Sequence, residues 1–235
     1  MAWNVDEEIV QRAKPRIAIC VPHTNNVTMY WTERAYGPLR FRPLSWCDKK
    51  PYLSFGPPID IARNELCQQA LNDNMDYVFF LDSDVVPREP EDINLALYKL
   101  WSLQAPLVTG LYRAKKRYGW HWAAWTDVNK DLEGLQPLVN FDNPIFPIDV
   151  AGLGCTLIHT DVLRNVPQPW FKWEGMDTYS EDFYFFLKCK EHGYNLIAHG
   201  GVRFDHIGTF MVTGDRNEGE VTLLGDYFKD KDGNE

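Results

Sequence analysis

The eleven residues from Tyr77 to Pro87, YVFFLDSDVVP, constrain this chain more than any other stretch. Five consecutive apolar residues with no polar alternation read as a strand covered on both faces, the kind that fills the middle of a parallel sheet. The run leads directly into two carboxylates, Asp82 and Asp84, separated by Ser83. In extended backbone, positions i and i+2 share a face. Both carboxylates can therefore reach one hard cation such as Mg²⁺ or Mn²⁺, directly or with one acting through water. Two unneutralised carboxylates this close repel each other, and a cation removes that cost. A solvated strand-to-turn boundary carries the same letters, so the spacing alone leaves both readings open.

The remaining pattern alternates strands with helices. Ile17 to Val21 (IAICV) is a short strand ended by Pro22, and residues 22 to 58, rich in Pro and Gly, read as a long irregular excursion. A helix is expected from about Pro58 to Asn74 with Asp60 as its cap, and another from Glu91 to Leu103. Pro106 to Tyr112 supplies a strand, residues 126 to 147 a loop-rich insert, and Val150 to His159 a strand interrupted by Gly152 and Gly154. Asp161 to Val166 suggests one or two helical turns. Ser180 caps a helix over Glu181 to His192 that Gly193 stops, and Tyr194 to His199 forms the last short strand. This order predicts an α/β fold, an open and mostly parallel sheet flanked by helices on both faces, with ligands outside the carboxyl ends of the strands. There is neither a Gly-x-Gly-x-x-Gly turn nor a GxxxxGK[ST] loop, which disfavours a standard dinucleotide fold and a P-loop enzyme. One domain is expected over residues 1–225, with a loose tail over 226–235.

Charge narrows the partners. With 24 Lys and Arg against 33 Asp and Glu, the formal charge is −9. Nucleic acid is therefore not an expected partner, whereas a nucleotide's diphosphate can still bind through a bridging metal. The five cysteines are widely spaced and lack any CxxC pair, which fits reduced, buried thiols. No run approaches the ~18 apolar residues of a membrane span, and the start of the chain has no signal-like apolar core. A cytoplasmic protein is expected, with peripheral membrane attachment left open by its aromatics.

Other constellations carry chemistry alongside blander roles. Asp60, Arg63 and Asn64 share a helix side, and a forked arginine suits phosphate or carboxylate. The glycines 152 and 154 weaken a strand but permit a bulge or close ligand approach. Glu181 and Asp182 in a first helical turn favour the helix dipole, and either could also accept a proton. His206, in FDHIG, can ligate a transition metal as neutral imidazole. Nine tryptophans are many for 235 residues. Trp120, Trp122, Trp170 and Trp173 are candidates for stacking on an acceptor sugar, with core packing as the alternative. Arg113, Lys115, Lys116 and Arg117 form the main basic patch, suited to a diphosphate, to an anionic acceptor or to solvent.

The segments PIDIARNELCQQAL, YVFFLDSDVVP, AGLGCTLIHTDVL, YSEDFYFFLKCKEHGYNLIA and VRFDHIG occur in an order that resembles metal-dependent glycosyltransferases of the GT-A fold, most nearly the broad family 2 type. The resemblance runs over roughly residues 17 to 208. It implies that Asp82 and Asp84 form the DxD motif, with Asp84 the firmer ligand to Mn²⁺ or Mg²⁺ and His206 the third ligand. Ser83 is then directed to the ribose. Pro22 and His23 meet the nucleoside, Asp60 and Arg63 serve the nucleotide-sugar or the DxD loop, and Gly152 and Gly154 lie beneath the donor sugar. Asp182 becomes the base that deprotonates the acceptor, with Glu181 orienting the acceptor or sharing that role.

The activity so implied is transfer of a sugar, a hexose by preference, from a nucleoside-diphosphate sugar to a hydroxyl acceptor on a glycan, lipid or small molecule, with inversion. Retention, a sugar-phosphate nucleotidyltransferase and a non-catalytic nucleotide-sugar or glycan-binding protein are the rival readings.

Overall fold

The structure, a computed structural model, describes residues 14–23, 27–42, 44–115, 121–127, 136–173, 180–207, 210–212 and 221–223. Its strands are β1 (Arg16–His23), β2 (Asp48–Phe55), β3 (Tyr77–Leu81), β4 (Val85–Pro87), β5 (Leu107–Tyr112), β6 (Ala124–Thr126), β7 (Gln136–Pro137), β8 (Ile145–Ile148), β9 (Val150–Ala151), β10 (Cys155–His159), β11 (Leu196–His206), β12 (Phe210–Val212) and β13 (Val221–Leu223). The helices are α1 (Met29–Trp31) and α2 (Gly37–Phe41), joined by a π-helical turn, then α3 (Ile59–Asn72), α4 (Ile93–Ser102), α5 (Thr160–Asn165) and α6 (Glu181–Glu191).

Ten strands form the main sheet, in the order β13-β12-β11-β5-β10-β3-β1-β2, with β4 and β8 also paired to β11. Strands β2, β1 and β3 are parallel, as are β5 and β11, and β10 runs antiparallel between β3 and β5. Five of the six strands with five or more residues, β2, β1, β3, β5 and β11, therefore share one direction, as the alternation of strands and helices predicts. A small second sheet, β7-β6-β9, lies within the region expected to be a loop-rich insert and just beyond it.

Side-chain alternation explains why β1 and β3 are apolar throughout. Ala18, Cys20, Val78 and Phe80 enter a core with Leu66 and Cys67 of α3 and Phe185 and Phe186 of α6. Ile17, Ile19, Phe79 and Leu81 enter a second core with Leu39 of α2 and Leu97 and Leu100 of α4. Each strand is thus covered on both faces, and neither face tolerates a polar residue. All five cysteines are free and buried. No helix among the described residues is long and apolar enough to cross a membrane.

Several boundaries differ from the sequence reading. The excursion after Pro22 contains α1, α2 and the whole of β2, an edge strand whose residues alternate between exposed and buried. Pro58, not Asp60, stands at the start of α3, and Ser180 starts α6 without a side-chain capping bond. Strand β11 continues past His199 to His206, with a register shift between Ala198 and Arg203 beside Gly200 and Gly201.

Candidate active site

The carboxyl end of β3 is fixed by backbone groups before any ligand is considered. Asp82 donates its N–H to the carbonyl of Gly154 at 3.2 Å, and its own carbonyl accepts from Val85 N–H at 3.1 Å. The Trp31 indole donates to that same carbonyl at 2.8 Å. The turn leads straight into β4, which pairs antiparallel with β11 so that His206 lies opposite Val85. The Asp84 carbonyl accepts Ile207 N–H at 2.6 Å. This three-residue strand is what brings Phe204 to Ile207 to the acidic turn.

The two carboxylates then diverge. Arg63, 2% exposed on α3, donates through Nη2 to Asp82 Oδ1 at 3.0 Å and Oδ2 at 3.3 Å. Its Nε reaches Glu181 Oε1 at 3.3 Å, and its guanidinium lies 5.0 Å from the centre of the Phe80 ring. Arg63 is therefore the keystone between the end of β3 and the start of α6. Its Nη1 is buried without a hydrogen-bond partner among the described residues. Asp84 Oδ2 instead faces Lys115 Nζ at 2.5 Å and His206 Nε2 at 3.5 Å. The other imidazole nitrogen, Nδ1, lies 3.1 Å from the carbonyl of Arg113, which orients the ring.

Proton affinities follow these partners. Burial pushes the Asp82 carboxyl up, and Arg63 opposes that push. Burial, reinforced by neighbouring Asp182, pushes Glu181 up to about 7. Burial also works against ionisation of Asp84, yet His206 and Lys115 outweigh it and hold this carboxyl at about 2. One carboxylate of the DxD string is thus locked to an internal cation, while the other is an ionised, accessible acceptor.

Asp82, Ser83, Asp84, Arg63, Glu181, Asp182, Gly152, His206, Pro22 and His23 all line one cavity of about 430 Å³. Residues drawn from most of the chain's length thus converge on a single volume. Asp60 is not among its lining residues; its carboxylate accepts the backbone N–H of Trp173 at 3.2 Å. Gly154 sits behind the wall, where a Cβ would stand 2.9 Å from Asp82 Oδ2 and 3.0 Å from Tyr112 Oη. Trp122 and Trp170 are core residues at 3% and 2% exposure, and Trp173 is half exposed on the surface. Trp120, Lys116, Arg117 and the expected tail over 226–235 lie outside the described residues.

Tyr112 escapes a sequence reading centred on motifs, whereas Lys115 belongs to the basic patch and Trp125 to the aromatic stretch beside it. Tyr112, at the end of β5, accepts Gly154 N–H on its hydroxyl at 3.1 Å. A Cβ on Gly152 would stand 2.1 Å from that hydroxyl, so the glycine is required by the tyrosine. Trp125 supplies an aromatic wall, its ring centre 4.8 Å from that of Phe183. Among the described residues of the basic patch, Lys115 reaches the acidic turn. The available signals were a tyrosine at a strand's carboxyl end and two glycines in a strand that had no other use for them.

Among the described residues, no three His, Cys, Asp or Glu side chains are gathered as a ready metal cage. The donor set still suits a hard or borderline divalent cation. Asp84 and His206 offer oxygen and nitrogen at one point, and that point already attracts an ammonium group.

No protein-family profile and no curated protein matches this sequence. Solved structures do match by shape. The protein A197 from STIV superposes with a TM-score of 0.62 at 18% identity, over 89% of this chain and 93% of that one. GalNAc-T7, solved with UDP, GalNAc and Mn²⁺, superposes with a TM-score of 0.56 at 11% identity, over 84% of this chain. The chain spans less than half of GalNAc-T7, 44% of its length. The fold is GT-A-like.

Proposed function

We propose that this protein transfers a sugar from a nucleoside-diphosphate sugar to a hydroxyl acceptor. The observation that carries the reading is the convergence of an acidic strand end, an acidic helix start and a histidine on one cavity. The likeness in fold to a glycosyltransferase solved with UDP and Mn²⁺ supports it.

Asp84 and His206 would hold the divalent cation, Mn²⁺ by preference. When bound, that ion supplies positive charge to the diphosphate as it departs. Asp82 serves indirectly, since both of its oxygens are engaged by Arg63. Asp182 lines the cavity beside Glu181 and is the base that takes the acceptor hydroxyl's proton. The acceptor oxygen then bonds to the anomeric carbon, and the bond from that carbon to the diphosphate oxygen breaks. Glu181, held by Arg63, positions the turn that carries Asp182. Trp125 presents a face suited to the apolar C–H side of a sugar ring. A single general base with no covalent intermediate goes with inversion, the outcome that this reading takes.

A panel of UDP-, GDP-, dTDP- and CMP-sugars, with and without Mn²⁺ or Mg²⁺, tests the reading through release of free nucleotide. Metal-dependent release from one donor is the expected result. Pyrophosphate release from a nucleoside triphosphate and a sugar phosphate, with no turnover of any donor sugar, would replace this proposal with a nucleotidyltransferase. Tight donor binding without turnover over a broad acceptor panel would replace it with a binding protein. The anomeric configuration of the product, read by nuclear magnetic resonance, tests inversion.

A further inference from the structure

A single oxygen of Asp84 carries two partners of different mobility. His206 is fixed by the pairing of β4 with β11 and by the carbonyl of Arg113. Lys115 lies beyond the end of β5, reaches Asp84 on a flexible four-carbon stem, and keeps 30% of its side chain exposed. Its ammonium sits 2.5 Å from Asp84 Oδ2, on the oxygen that also faces His206. A lysine ammonium and a divalent cation cannot share that point, because each would sit at contact distance from a like charge. Lys115 also lines the cavity that contains Arg63 and Asp182, so it has a second destination within reach of its stem. A mobile point charge with three donors suits a diphosphate.

We propose that Lys115 is a hand-over residue, which neutralises Asp84 before the metal arrives and then moves to the diphosphate of the bound nucleotide. The proposal rests on the reading of this cavity as a site for a cation and a diphosphate. It adds a coupling: metal binding frees the lysine, and the freed lysine strengthens nucleotide binding. Lys115 is thus both a competitor for the metal and a ligand for the donor, and its removal has opposite effects on the two affinities. No covalent bond changes in the exchange.

The test compares wild type with Lys115→Met by calorimetry, first with Mn²⁺ alone and then with UDP, GDP, dTDP and CDP at saturating Mn²⁺. In the variant, Mn²⁺ is expected to bind roughly three- to tenfold more tightly, because a competing ion pair and a like charge are gone. The nucleotide that binds wild type is expected to bind about tenfold more weakly, through loss of a charge-assisted contact. Lys190→Met, which removes a surface cation paired with Asp149, is expected to change neither affinity. In wild type, the acetylation rate of Lys115, followed by mass spectrometry, is expected to rise when Mn²⁺ is added and to fall again with the nucleotide. Unchanged affinities, or affinities that shift in the same direction, overturn the hand-over. So does an acetylation rate indifferent to Mn²⁺. Loss of Mn²⁺ binding in Asp84→Asn preserves the underlying site even when the lysine result is negative. Absence of Mn²⁺ binding from both wild type and Lys115→Met overturns both.

Discussion

Asp82 and Asp84 stand two residues apart on one turn, yet they belong to different halves of the site. Asp82 joins Arg63 and Glu181 in a triad largely closed to water; the side chains of Arg63 and Glu181 are only 3% and 6% exposed. Asp84 faces Lys115 and His206 with 42% of its side chain exposed. The buried half shares one internal cation between two carboxylates. The open half has an ionised carboxylate whose cationic partner Lys115 keeps 30% of its side chain exposed. A closed triad of this kind fixes the geometry of two distant elements, the end of β3 and the start of α6, whereas the open half is where the proposed function puts its ligand. A DxD string therefore does not imply two equivalent ligands. The first acid builds the floor on which the second works.

The largest expected effect comes from breaking the closed half. Arg63→Met leaves the Asp82 and Glu181 carboxylates buried without their cation, at an expected loss of ~3–5 kcal/mol of stability in urea unfolding. An equally stable variant would mean that the triad holds nothing together. Arg63→Lys is expected to recover only part of the loss, since one ammonium cannot reproduce the fork that spans two carboxylates.

The pH dependence of stability sharpens the same comparison. A Glu181 carboxyl raised to about 7 binds a proton in the folded chain that it has already released in the unfolded one. Its contribution is therefore full below its unfolded value and is lost as pH rises toward 7. The expected loss is on the order of 1–3 kcal/mol across that window. Glu181→Gln is expected to flatten this limb in unfolding experiments run at a series of pH values. A limb that survives the substitution would have to be assigned to another group.

Crowding at the rear wall gives an effect of similar size. Gly152→Ala puts a methyl group 2.1 Å from the Tyr112 hydroxyl, and an expected cost of about 1–3 kcal/mol follows from overpacking. Adding Tyr112→Phe is expected to restore part of it. The recovery stays partial because the ring carbon bearing the hydroxyl would still stand 2.8 Å away. Full additivity of the two costs in a double-mutant cycle would show that the residues do not meet. Smallest of all is Asp60→Ala, outside both halves. It removes one partly exposed hydrogen bond to Trp173, and thermal unfolding is expected to register about 0.5–1 kcal/mol.

The parts of this architecture that were legible in the sequence are those governed by local pattern. Tyr77–Leu81 was readable because a strand with a core on each face has no polar position, and α6 because Gly193 at φ 83° ends it in a conformation that suits glycine. Strand β2 was not, since an edge strand with alternating exposure, two lysines and Pro51 resembles a loop. The second half of β11 is set by pairing with β4 and β5, across distances in sequence that no window covers. The same limit applies to the site. Asp82, Asp84, Glu181 and Asp182 announce themselves as pairs of acids, but the sequence does not say that Arg63 takes Asp82 and leaves Asp84 to Lys115 and His206. The tryptophans show the converse. Their number suggested a sugar-binding surface, whereas Trp122 and Trp170 pack in the core and Trp125 lines the cavity.

The division into a structural half and a working half is tested most directly at Asp182, which lines the cavity but takes no part in the Arg63 triad. With the donor that supports Mn²⁺-dependent turnover, transfer by Asp182→Asn is expected to fall by about 10²–10⁴-fold, while its Mn²⁺ affinity stays at the wild-type value. Transfer at the wild-type rate by that variant would contradict the account.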